Sequence, residues 1–211
     1  MSCIYSFISK FMILMKWLSY AVCGLLLSCI VTACGDDDLP PATENPEETI
    51  TTAILTFQPE DGGDLIEVTW EDADGEGSGD PVIDDLVLAP ATTYRLTLTL
   101  FNRLDPANPV NISDEVRAEG DEHMLFFAWT DGLFADPTGD GNIDERDDPV
   151  NYQDTDAEGL PLGLVTRWNT GAAATGMFRV VLKHQPGIKS ATSVYENGAS
   201  DIDIAWPITI Q

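Results

Sequence analysis

From residue 50 onward, apolar side chains recur at alternate positions, the period of a strand with one buried face. Segments 50–58, 65–70, 93–102, 123–130, 162–169, 177–185 and 202–210 alternate or run apolar, and they are rich in Val, Ile, Thr, Leu and aromatics. Gly, Pro, Asp and Asn separate them, and 81–88 is a weaker strand. Only 112–119 has the pattern of a helix, a short one with Ser113 as its cap. Eight or nine strands without a long amphipathic helix predict an all-β fold, an antiparallel immunoglobulin-like β-sandwich.

The pattern also echoes itself. Val68-Thr-Trp-Glu-Asp-Ala-Asp-Gly-Glu-Gly77 matches Val150-Asn-Tyr-Gln-Asp-Thr-Asp-Ala-Glu-Gly159, pairing Trp70 with Tyr152. Thr92-Thr-Tyr-Arg95 and the apolar run after it match the stretch around Arg179 at nearly the same offset. Two pseudo-repeated halves are therefore expected within one domain of residues 50–211, with Trp70 and Tyr152 in equivalent places.

The first 33 residues differ in kind. They hold no acid, and Lys10 and Lys16 are their only charges ahead of an apolar run. A basic start, a short apolar stretch and a small-residue site make a secretory signal, too short to span a bilayer comfortably. Val31-Thr32-Ala33-Cys34 resembles the bacterial lipobox, in which Cys34 becomes the acylated N-terminus, and Leu26-Leu27-Ser28-Cys29 is the upstream alternative. An uncleaved membrane anchor is the other reading of the same run. Met15-Lys16 begins a complete signal by itself, so translation is expected to start there. All four cysteines fall at or before Cys34, leaving the exported domain without a disulfide. Residues 34–49, opening Gly35-Asp36-Asp37-Asp38 and then rich in Pro, Glu and Thr, read as a solvated tether. The acidic run after the cysteine resembles the surface-export signal of Bacteroidota lipoproteins; as plain spacer it is a flexible stalk. Location at the outer membrane, facing outward, follows from the first reading.

Charge narrows the partners. The chain has 36 acidic and 10 basic residues, a net charge of -26. Nucleic acid is excluded, because that affinity comes from Lys and Arg displacing counterions. Partners are instead the membrane through its anchor, and another envelope protein or an extracellular ligand.

The acidic loops are the candidate chemistry. Asp136, Thr138, Asp140, Asn142 through its carbonyl, Asp144 and Asp147 are spaced like the calcium loop of EF-hands and dockerins, with Gly141 at the sharp turn. A hard cation takes six to eight oxygens, and alternate residues of a tight loop aim them inward. A solvated acidic insertion is the alternative. Asp72, Asp74, Glu76 and Asp80 form a second possible calcium loop, and Asp154, Asp156 and Glu158 a third, each equally readable as an acidic β-turn. His123 and His184 are the only histidines, and both fall in strands without triad or metalloprotease spacing. Each is expected as a satisfied surface or edge residue. Trp70, Trp129, Trp168 and Trp206 are expected to pack in the core or at an edge of the sandwich.

The order Cys34-Gly-Asp-Asp-Asp, Thr49-Ile-Thr-Thr, Gly62-Gly63, Trp70-Glu-Asp-Ala-Asp-Gly-Glu-Gly, Tyr94, Asp154-x-Asp156-x-Glu158-Gly-x-Pro-Leu-Gly163 and Ile208-Thr-Ile-Gln resembles a family of small Bacteroidota lipoproteins. Some members carry the label of a type 1 periplasmic binding fold. That label implies a two-lobed α/β structure, whose helices this sequence lacks. The residues point instead to a calcium-stabilised, non-enzymatic binding or accessory module. A carboxylate-dependent hydrolase and a purely structural envelope protein are the alternatives.

Overall fold

The computed structural model describes residues 48–75 and 77–211. The signal, Cys34, most of the tether and Glu76 lie outside them. The described chain is nearly all β, with antiparallel sheets in a curled half-barrel. Among the described residues no helix is long and apolar enough to cross a membrane.

In chain order the elements are β1 (Thr52–Pro59), β2 (Ile66–Glu71), β3 (Val82–Ile83), β4 (Leu86–Leu88), β5 (Thr93–Asn102), β6 (Val110–Asn111), α1 (Ile112–Ala118), β7 (His123–Trp129), β8 (Phe134–Asp136), β9 (Val165–Thr170), β10 (Ala174–His184) and β11 (Ala199–Ile210). One sheet has the order β3-β2-β1-β5-β9-β8, with β6 also on β5; the other is β4-β11-β10-β7. Every pairing is antiparallel except β4 with β11, which is parallel.

Alternation explains why these segments are strands. Leu96, Leu98 and Leu100 of β5, Phe127 and Trp129 of β7, Phe178 and Val180 of β10, and Ile204, Trp206 and Ile208 of β11 all enter one core fed by both sheets. Aromatic rings form its centre. Trp168 meets Trp129 edge-on at 5.0 Å and Phe178 at 5.0 Å, and its indole N–H donates to Thr166 Oγ1 at 2.6 Å. Such contacts add directional preference to area burial. Trp129, Trp168 and Trp206 are buried as expected, while Trp70 packs partly buried against the same core.

Three details differ from the sequence reading. Asn111, not Ser113, caps α1, because its side chain accepts the Ser113 N–H. Ser113 Oγ is turned inward instead, accepting from Leu100 N at 2.7 Å. Trp70 and Tyr152 do not occupy equivalent places: Trp70 pairs with Ala53 and Ile83 within its sheet, whereas Tyr152 lies outside the strands and only bridges Thr166. The echoed acidic turns look alike locally, but strand partners are chosen by long-range packing, and the sheets mix strands from both halves.

Candidate functional site

The 136–147 loop leaves β8 and is fastened to β7 at its middle. Asn142 accepts from Phe127 N through its side chain at 3.0 Å, and its own N–H donates to Phe127 O at 2.9 Å. Asn142 also donates to Tyr152 Oη at 2.9 Å, while Tyr152 donates to Leu125 O at 2.6 Å. Burial pushes the Tyr152 hydroxyl far above its ordinary value, keeping it neutral and able to donate. Gly141 lies at φ +109° so close to β7 that a Cβ would overlap the Phe127 carbonyl. On this scaffold carboxylate oxygens of Asp140, Asp144 and Asp148 come within 4.8 Å of one another. Asp148 lies one residue beyond the twelve-residue spacing, which ends at Asp147. Asp136 is turned away to Arg167, 3.7 Å from its guanidinium. Thr138 and Asp147 are exposed, and the Asp147 carboxylate is not among those three.

In the other two loops Asp74, Asp154 and Asp156 are taken up in hydrogen bonds within the domain. Asp74 accepts from Gly79 N, and Asp72, Asp74 and Asp80 form no ligand-like group among the described residues. Asp154 accepts from Gly163 N and Val165 N with its two oxygens. Asp156 accepts from Glu158 N and Leu160 N and pairs with Lys189 at 2.7 Å, while Glu158 is exposed. The bonds of Asp154 and Asp156 hold the third loop's shape.

A second group lies at one end of the four-stranded sheet, around the two histidines. His123 opens β7 and His184 closes β10, directly opposite each other in the ladder. Both are buried, not at the surface, since strand alternation puts them on the same face as Leu125 and Leu182. Their rings stack at 4.8 Å with planes 7° apart. His123 Nδ1 is 3.0 Å from Glu119 O, an acceptor, so Nδ1 carries hydrogen and Nε2 faces the other way. There it meets Glu48 Oε1 at 3.1 Å and Asp201 Oδ2 at 3.7 Å. Glu122, more exposed, stands 3.3 Å from His184 Nε2.

Two local features bring in the carboxylates. Glu48 belongs by composition to the tether, yet its side chain is only 3% exposed. Asp201 is the extra residue of a bulge: Leu182 pairs with Ile202 and Lys183 with Ser200, leaving Asp201 unmatched. A bulge re-aims a side chain, and here it turns inward a carboxylate that strict alternation would put beside exposed Asp203. Burial alone would raise the Glu48 carboxyl, but the hydrogen bond and charge of His123 outweigh it and hold it below its ordinary range. For His123 burial acts downward, and Glu48, the Glu119 carbonyl and Asp201 together raise it above ordinary imidazole. The arrangement can hold a proton or a cation between imidazole and carboxylate. A cavity of about 280 Å³ adjoins it, lined by Glu48, Asp201, Asp72, Asp203 and Trp70 among others.

No family model, curated protein or solved structure matches this chain.

Proposed function

We propose that the protein is a non-enzymatic, lipid-anchored module of a bacterial cell envelope. An acidic tether from Cys34 holds its β domain off the outer membrane, facing outward, where it binds another envelope protein or an extracellular ligand. Calcium in the 136–148 loop stabilises the domain. The observation that carries this reading is the approach of Asp140, Asp144 and Asp148 on a loop pinned to β7 by Gly141 and Asn142. Oxygen-only donors on a fixed loop suit a hard cation. For the fold itself, an immunoglobulin-like sandwich is the finer reading; β5 and β10, which carry the Arg95 and Arg179 echo, are interior strands of the two sheets.

Calcium bound only by the folded chain stabilises it by about 2.7 kcal/mol at a hundredfold excess over its dissociation constant. Calorimetry should show millimolar calcium raising Tm more than sodium chloride of equal ionic strength, with Asp140→Ala removing most of the difference. Equal responses to the two salts, or an unaltered response in the variant, would refute the calcium assignment.

One observation favours a second reading. The cavity beside Glu48 and Asp201 holds several carboxylates, as a carboxylate-dependent hydrolase requires. Hydrolysis of glycoside or ester probes that disappears in Glu48→Gln would select it over the binding module.

A further inference from the structure

We propose that His123, His184 and Glu48 bind a first-row transition-metal cation, zinc in its coordination chemistry, which fastens the chain just before β1 to the four-stranded sheet. The site is independent of the calcium loop. A ring nitrogen of each histidine and a carboxylate oxygen of Glu48 all lie within 4.8 Å of one another. The three side chains are buried, and they come from the segment before β1, the first residue of β7 and the last residue of β10.

The hydrogen bonding around the group is that of ligands held in place. His123 donates from Nδ1 to the Glu119 carbonyl, which fixes the ring with Nε2, the nitrogen that would ligate once deprotonated, facing Glu48. A metal-bound imidazole is oriented by its second nitrogen in this way. Glu48 Oε2 is buried with no hydrogen-bond partner among the described residues, a costly state for a carboxylate unless a cation sits beside it.

Donor type selects the metal. Two imidazoles and a carboxylate suit zinc and its neighbours, whereas calcium takes six to eight oxygens. Bonds of about 2.0–2.1 Å in a tetrahedron put ligand atoms roughly 3.4 Å apart. The His123 Nε2 to Glu48 Oε1 separation of 3.1 Å is already near that value, and a ring nitrogen of His184 lies within 4.8 Å of the other two ligand atoms. Asp201, or a water from the adjoining cavity, completes the shell.

The test uses the untagged, full-length mature protein, stripped with chelator and then loaded with zinc or cobalt(II). One equivalent should bind, and X-ray absorption at the metal edge should show two imidazole ligands. Because His123 and His184 are the only histidines, that signature can arise nowhere else. Glu48→Gln and His184→Gln should weaken binding by about 100-fold or more, given that even outer-shell changes cost 10–100-fold. Changing Asp140, Asp144 and Asp148 together to Asn should leave binding intact. The absorption spectrum needs no variant, so a misfolded mutant cannot mask the answer. Absence of stoichiometric binding, an all-oxygen shell, or loss of the metal in the triple Asp variant would overturn the proposal.

Discussion

Lys189 and Asp156 are both out of contact with solvent, and neither would tolerate the other's removal. Asp156 Oδ2 meets Lys189 Nζ at 2.7 Å, and the ammonium's other partner is Gly120 O at 2.6 Å. Burial alone would raise the Asp156 carboxyl, but Lys189 and the N–H groups of Leu160 and Glu158 outweigh it and hold it below its ordinary 3.8. Breaking a buried pair from one side leaves the other charge uncompensated and costs about 3–5 kcal/mol. Asp156→Asn should lose stability of that order at pH 7, read by urea unfolding. A depressed folded-state pKa gives stability that is complete above the unfolded value and lost as pH falls through the folded one. The gap between wild type and Asp156→Asn should therefore narrow from pH 4 downward. A constant gap would mean that the carboxylate's charge contributes nothing and only its shape matters.

At the level of elements, the join between the acidic loop and β7 is a close backbone approach with no room for a side chain. Gly141 and Gly139 both have positive φ, +109° and +93°, but only at Gly141 would a Cβ strike a neighbouring carbonyl. At Gly139 the nearest atom is Asp148 Oδ2, 3.8 Å away. Alanine at either position carries backbone strain of about 1–3 kcal/mol. Gly141→Ala adds displacement of the loop from Phe127, so thermal melts should place its Tm well below that of Gly139→Ala. Similar melting temperatures for the two would show that the loop is not seated on β7.

The same comparison of local and distant causes shows what could be read in advance. Seven strands were legible to within about three residues, because alternation is a local signal; β10, expected from 177, starts at Ala174. The parallel pairing of β4 with β11 was not legible, since it joins residues more than a hundred positions apart. The calcium-like spacing singled out the 136–147 loop and ended at Asp147, whereas the carboxylates whose oxygens lie within 4.8 Å of one another are those of Asp140, Asp144 and Asp148. The histidine group had one usable signal: His123 alternates with Leu125 and Phe127, and His184 with Leu182 and Val180. That parity puts both rings on the core side. Their partners left no trace, because Glu48 sits in tether-like composition and Asp201 is turned inward only by a bulge.

For the molecule as a whole, two opposing electrostatic effects decide how salt acts. Among the described residues, the arginine ion pairs lie at or near the surface: Arg117 with Asp114, Arg167 with Glu60, Arg179 with Asp203. Exposed pairs contribute about 0–1 kcal/mol each, and salt weakens them. Against them stands the mutual repulsion of 36 acids over 10 basic residues, which opposes the compact state throughout. Without Lys10 and Lys16 the 10 basic residues fall to 8, and the charge deepens from -26 to -28. The range of that repulsion shrinks from about 30 Å at 0.01 M salt to about 10 Å at 0.1 M. Repulsion acts among many charges across this range, whereas each ion pair acts at contact, so screening should relieve more than it removes. Raising sodium chloride from 0.01 to 0.15 M at pH 7 is therefore expected to increase Tm, with most of the rise complete by 0.1 M. A Tm that stays flat or falls would mean that the surface pairs, and not the excess of carboxylates, govern the stability of this fold.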